Sequence, residues 1–408
     1  MLRRLFSGTK SSLGLSPKLP VELTLRIIDH LGADDDDWAR SQAALLVCGL
    51  VCRSWLIHSR RYLHNGFVIR TETIVQVAEI LLHPNCSLRD VIRGLAFANY
   101  DCGQRVSEDD TELLGDALRR VTNVKRLVVV GPGWRLSDYS LDFAFKLKHS
   151  VKLLVMDQRA LRPNGFARFV VMFPHLQRVH VADPAEQPFM PVDEETWKAV
   201  ETTQHQLALP VLQSLFVHSP FTIPFIQWLS ASPLTRLELY LPPTVREAYK
   251  RTLPSIFTGN LCWSLERLII GLPALPDSRI ALPDLSRCIA LKVLIIRGIF
   301  VDHIDPMLVA STLGAPRIWR VMFEFRNVSQ AGWPTFSDSL DGRWGEVSKM
   351  DAGLADRKTF GALRKVCFLM STKKGELDYG PFPCRWGATV RGAFPRLHAR
   401  GLLAFEYR

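Results

Sequence analysis

Ser232-Pro233-Leu234-Thr235-Arg236-Leu237-Glu238-Leu239 holds the pattern that decides the fold. A proline-containing turn delivers the backbone into a short run in which Leu234, Leu237 and Leu239 stand as apolar-x-x-apolar-x-apolar. Side chains alternate along an extended strand, so the anchors turn inward and Arg236, just ahead of the middle anchor, turns outward. The triplet recurs at Val124/Leu127/Val129, Val151/Leu154/Met156, Leu176/Val179/Val181, Leu212/Leu215/Val217, Leu265/Leu268/Ile270, Leu291/Leu294/Ile296, Ile318/Val321/Phe323 and Leu363/Val366/Phe368. In a chain that is 47% hydrophobic one such triplet means little. Here Phe173-Pro174-His175-Leu176 and Leu209-Pro210-Val211-Leu212 repeat the proline turn, and most first anchors follow one another at intervals of roughly 22–31 residues, the period of a stacked array.

Stacked strand-plus-helix units bury their anchors between neighbours and line one continuous face with strands. The pattern resembles a leucine-rich repeat in degenerate form, and an irregular α/β solenoid is the fold expected for residues 121–408. Long loops belong on the opposite side. The longest gap, between the last two units, contains Gly332-Trp333-Pro334, Gly342 and Gly345 and predicts an extended loop. Residues 66–120 read as a helical linker and cap, with Thr73 to Leu82 the clearest amphipathic piece.

A cation occupies the place ahead of the middle anchor in six of the nine units: Arg126, Arg178, Arg236, Arg267, Arg320 and Lys365. Leu153, Ser214 and Val293 fill that place in the other three. On stacked strands the six form a broken ladder, and a ladder of this charge suits a target segment that is acidic or phosphorylated, because guanidinium groups pair with carboxylate and phosphate.

The N-terminal part follows a different period. Pro20 and Glu22 suit the first turn of a helix and Gly32 its end. Val21, Leu23, Leu25, Ile27, Ile28 and Leu31 sweep an apolar arc of roughly 200°, wider than a one-sided helix needs. Four adjacent carboxylates, Asp34 to Asp37, read as a solvated loop. Beyond it Ala43 to Cys52 is apolar all round, as in a helix packed on several sides, and Arg53-Ser54-Trp55 opens another short helical turn.

Leu19-Pro20-Val21-Glu22-Leu23, Ile27-Ile28, Leu31 and Leu50-Val51-Cys52-Arg53-Ser54-Trp55 together resemble the F-box signature, most closely that of fungal F-box proteins, in which the Cys-Arg-x-Trp segment runs on into a basic stretch like Leu56 to Arg61. The acidic insertion between the helices departs from that pattern. The resemblance implies an α+β multi-domain chain: a flexible N-terminus at 1–16, a small all-helical F-box module at 17–65, the linker at 66–120 and the repeats. It also implies a non-enzymatic receptor in a cullin-RING ubiquitin ligase. Leu19, Pro20, Glu22, Leu23, Ile27, Ile28, Leu31, Leu50, Val51, Cys52 and Trp55 would bind the ligase adaptor and, through it, cullin, while the six cations meet the target. A scaffold that binds without a role in degradation is the alternative.

The remaining chemistry narrows the field. The net charge of +11 favours acidic partners, yet the basic residues are spread along the chain without the dense block of a nucleic-acid tail, so no nucleic acid is expected. Eight cysteines include no Cys-x-x-Cys pair, and neither a metal nor a cofactor is expected. Met1 to Lys10 lacks the apolar stretch of a secretory leader and no segment approaches the roughly 20 apolar residues that cross a bilayer, so reduced thiols and a cytoplasmic or nuclear setting, away from membranes, are expected. Val128-Val129-Val130-Gly131-Pro132-Gly133 imitates a dinucleotide fingerprint, but Leu136 stands at the third glycine place and Pro132 removes a backbone donor. No phosphate loop, zinc-protease motif or nucleophile elbow is present, and the histidines are scattered, so catalytic residues are not expected.

Overall fold

Each of the nine triplets lies at one strand, and the strands join side by side. The computed structural model describes residues 20–33, 38–63, 66–98, 107–130, 147–157, 169–182, 209–218, 226, 229, 231–240, 260–271, 285, 287–299, 317–326, 344–356, 358–371 and 382–407. Twelve strands run β1 Gly66–Arg70, β2 Gly94–Ala98, β3 Arg126–Val130, β4 Leu153–Asp157, β5 Arg178–Ala182, β6 Ser214–His218, β7 Arg236–Tyr240, β8 Arg267–Gly271, β9 Val293–Ile299, β10 Arg320–Arg326, β11 Lys365–Ser371 and β12 Leu403–Tyr407. All neighbours are parallel and the spatial order equals the chain order, so the protein is a mixed α/β, solenoid-like molecule built on one twelve-stranded sheet.

The anchors explain the sheet. Every one of the 27 residues in the nine triplets is at most 4% exposed, and successive triplets stack in register. Burying a Leu, Ile or Val in this way stabilises by roughly 1.5–3 kcal/mol. The hydrogen-bonded ladder extends one residue below the strands: Lys152 N–H donates to Lys125 O at 2.8 Å, Gln177 to Lys152 at 2.8 Å, Thr235 to Gln213 at 2.9 Å and Lys292 to Glu266 at 2.8 Å. A one-residue slip would turn a whole triplet out of the core, which fixes the register.

The described helices are α1 Val21–Ala33, α2 Trp38–Val51, α3 Arg53–Leu63, α4 Ile74–Leu82, α5 Glu108–Leu118, α6 Asn260–Ser264, α7 Trp344–Ala355, α8 Phe382–Ala393 and α9 Pro395–Ala399. Residues 66–120, expected as a helical linker, hold β1 and β2 as well as α4 and α5, and both strands belong to the sheet. The reason lies in Ile92, Leu95 and Phe97, which repeat the anchor triplet and are buried like the others. The gap expected to be an extended loop contains α7, with Gly345 inside it; Gly332-Trp333-Pro334 lies outside the described residues. The 1–16 segment, the acidic loop Asp34–Asp37 and the Gly131–Gly133 turn also lie outside them.

α1, α2 and α3 pack on one another. α3 is a full helix of 11 residues where a short turn was expected. Gly49 is buried where α2 meets α3: a Cβ there would stand 3.2 Å from Leu56 Cδ1, so glycine lets the two helices close. Asp29 of α1 ties down α3, accepting from Tyr62 Oη at 2.7 Å and lying 2.7 Å from His58 Nε2. Ile28 and Leu45 are fully buried here and are not part of the main core, which runs from Ile69 to Leu402.

Candidate functional site

Two surfaces emerge from this arrangement. The first is on the helical unit. Its interior is small, so many of its apolar residues stay outside: Leu23 and Ile27 one turn apart on α1, Leu46 with Leu50 and Val47 with Val51 on α2, and Ile57 on α3 are all exposed, Leu50 by 86%. A soluble surface rarely gathers so many apolar side chains without an interface to fill. α2, read as packed on several sides, has one buried side, at Leu45 and Gly49, and an open stripe elsewhere.

Of the residues the F-box resemblance names, Pro20, Glu22, Leu23, Ile27, Leu50, Val51 and Cys52 are exposed, while Leu31 and Trp55 are half-buried. Ile28 is fully buried between the helices, so it supports the unit from inside instead of meeting a partner. Leu19 lies outside the described residues. Cys52 precedes α3, and the Trp55 backbone N–H, with the Ser54 side chain, pulls its thiol below the usual range. Leu46, Val47 and Ile57 were missed; helical spacing from Leu50 would have found the first two.

The second surface is the sheet face away from the core. Arg126, Leu153, Arg178, Ser214, Arg236, Arg267, Val293, Arg320 and Lys365 form one continuous rung across β3–β11, each hydrogen-bond neighbour to the next. The six cations therefore do stack, with the three interruptions between them. Arg236 is exposed and the other five are half-buried.

Groups that the linear reading missed occupy the next rungs of the same face. Arg297 on β9 lies between two nearly buried carboxylates: its guanidinium meets Glu238 of β7, and its Nε lies 3.0 Å from Glu324 of β10. Tyr240 Oη accepts from Arg297 at 3.1 Å. Arg236 stands 3.6 Å from Glu238, and Glu406 of β12 is shared by Lys365 at 2.8 Å and Arg320 at 3.1 Å. Glu406 is held below the ordinary carboxylate range, first by the Lys365 hydrogen bond. Burial and the neighbouring Glu406 push the Cys367 thiol up to about 11. Ile269, Ile295, Met322, Cys367 and Leu369 form a compact apolar cluster on this face. Towards the middle strands, Phe216 packs between His180 and Tyr240 at centroid distances of 5.5 and 5.7 Å, and His218 lies 5.0 Å from Tyr240. Stepping two residues along each strand from the ladder would have picked out these positions as facing the same way.

An open cavity of about 900 Å³ at the β9–β12 end has Arg317, Trp319 and Arg364 in its wall, and among the described residues lining it there is no carboxylate, histidine or cysteine. Among the described residues no group of three or more His, Cys, Asp or Glu could hold a metal ion, and no helix is long and apolar enough to cross a membrane. The six described cysteines Cys48, Cys52, Cys86, Cys262, Cys288 and Cys367 are all free thiols. What the arrangement offers chemically is recognition: an apolar helical surface and a cationic, partly aromatic strand face.

Fold and surfaces together define a solenoid-like α/β protein carrying an N-terminal helical unit. No protein-family model matches the chain, and no curated protein matches it.

Proposed function

We propose that the chain is a receptor subunit of a cullin-RING ubiquitin ligase, with α1–α3 docking on the ligase adaptor and the ladder face of the sheet holding a target protein. The observation that carries the reading is the open apolar surface of α1–α3, which falls on the same stretch that resembles the F-box signature. Leu23, Ile27, Leu50 and Val51 belong both to that resemblance and to the exposed set. Buried apolar anchors supply most of the affinity at such an interface. The leucine-rich-repeat resemblance supports the second half, since a continuous strand-lined face is the binding surface of such arrays.

The test is direct. Purified full-length protein is mixed with the ligase adaptor and followed by calorimetry. Leu50→Asp with Val47→Asp should weaken capture at least a hundredfold while the thermal unfolding of the sheet stays unchanged. Failure of the unaltered protein to bind the adaptor removes the ligase reading. Adaptor binding combined with an unchanged half-life of every captured target would leave the scaffold alternative in its place.

A further inference from the structure

We propose that the ladder face around Arg267 is a receptor site for a phosphorylated side chain on an extended peptide. The inference rests on the ladder face as the target surface and not on adaptor docking. Among the described side chains of β7–β12, five cations, Arg236, Arg267, Arg297, Arg320 and Lys365, share this face with three carboxylates, Glu238, Glu324 and Glu406. The excess is two positive charges.

The excess is not spread evenly. Arg297 is neutralised between Glu238 and Glu324, and Arg320 and Lys365 share Glu406. Arg267 forms no ion pair with any described residue, and its Nε is buried without a hydrogen-bond partner. Burial disfavours its charge first and the nearby Arg236 next; Arg297 and Arg320 add to this, and among the described residues Glu238 opposes it. An unpaired guanidinium in that position gains most from an incoming anion.

Geometry and charge both select phosphate. Val293 separates Arg267 from Arg320 on the rung, leaving them two strand spacings apart, roughly 10 Å. A tetrahedral group with several acceptors fits such a gap and reaches both. A phosphate monoester carries about −1.5 to −2 charges at neutral pH, which matches the excess, whereas a carboxylate leaves half of it unpaired. Arginine forks also bind phosphate in paired hydrogen bonds. Phe216 and Tyr240, half-exposed beyond Arg236, offer a platform for a neighbouring side chain of the same peptide. A nucleic-acid strand fits less well, because its repeated phosphates would run onto Glu238 and Glu324 one and two rungs away.

The experiment uses the full chain and five probes: a degenerate library of phosphoserine nonapeptides, the matching serine library, the matching aspartate library, free phosphoserine, and a dT nonamer, all read by competition against a labelled phosphoserine library. The phosphoserine peptides should bind at least tenfold more tightly than either matched library, than free phosphoserine and than dT, and the affinity should fall as salt rises. Arg267→Gln should remove at least tenfold of it, and Lys349→Gln, exposed on α7 and away from the ladder, should leave it unchanged. Should Arg267→Gln fail to fold, Arg236→Gln at the exposed neighbour carries the same expectation. Equal binding of the serine library, equal binding of free phosphoserine, tighter binding of dT, or full affinity in Arg267→Gln each overturns the proposal. Adaptor capture measured on the same preparations should be unaffected by Arg267→Gln. Loss of adaptor binding with phosphopeptide binding intact counts against the ligase reading alone.

Discussion

Tyr240 lies across Gly271 on the neighbouring strand, so close that a Cβ on Gly271 would stand 2.1 Å from Tyr240 Cδ1 and 2.8 Å from its Cγ. The bare backbone at β8 is what lets the ring reach over it towards Arg297 on β9. Gly271→Ala should swing the ring away, break the Tyr240–Arg297 contact and cost about 1–3 kcal/mol in urea unfolding. In a Tyr240→Ala background the same change should cost much less, because the clash is gone. Equal costs in the two backgrounds would show that the ring is not the obstacle.

Asp351 of α7 is 2% exposed, and its carboxylate accepts from the backbone N–H groups of Arg396 at 2.9 Å and Leu397 at 3.0 Å, at the start of α9. Those donors have no partner within so short a helix, so the carboxylate completes it. Asp351→Ala should cost roughly 1–3 kcal/mol and Asp351→Asn less, since the amide keeps one acceptor. Hydrogen exchange at Arg396 and Leu397 should speed up in Asp351→Ala; unchanged exchange would rule out the cap.

Glu406 links Lys365 and Arg320, and its folded-state ionisation lies below the ordinary glutamate range. A depressed carboxyl contributes stability wherever the unfolded chain is also ionised, above roughly pH 4.3, and loses it as pH falls through the folded value. The melting temperature of the parent should therefore exceed that of Glu406→Gln by a constant margin from pH 7 to about 5.5, and the margin should shrink below about pH 4.3. The margin is modest because Glu406 is 38% exposed and screened. A margin that grows on acidification would contradict the pairing.

Ile28 and Leu50 predict opposite outcomes from similar chemistry. Ile28→Ala opens the small interior of α1–α3 and should cost about 2–5 kcal/mol of that unit's stability, read from amide exchange in α1 and α3. Leu50→Ala removes an exposed side chain and should change stability by less than about 0.5 kcal/mol. Equal sensitivity at the two positions would mean that α2 is covered.

β3 to β11 were legible in the sequence because every anchor is buried by the same local alternation, so pattern and environment coincide at Val124, Leu237 or Phe368 alike. β2 carries the full triplet at Ile92, Leu95 and Phe97, but it stands between two helices whose longer period dominates a linear reading. β1 and β12 break the pattern, with His64 and Arg400 where the first anchor would fall. An end strand has a neighbour on one side only and needs less apolar surface. The cation ladder was legible too, since it is fixed relative to the anchors.

Its charge balance was not. Glu238 meets a guanidinium 59 residues away, and Arg320 meets Glu406 across 86 residues. Only the order of strands in the sheet decides which charges face each other, and by that order Arg267 forms no ion pair with any described residue. α2 gives the same lesson in apolar terms. Ala43 to Cys52 determined by itself that a helix here would be hydrophobic on all sides. Which of those sides the protein fills, and which it leaves open at Leu46, Val47, Leu50 and Val51, depended on where α1 and α3 came to rest, because burial is set by the neighbours a helix acquires and hydrophobicity only by its own side chains.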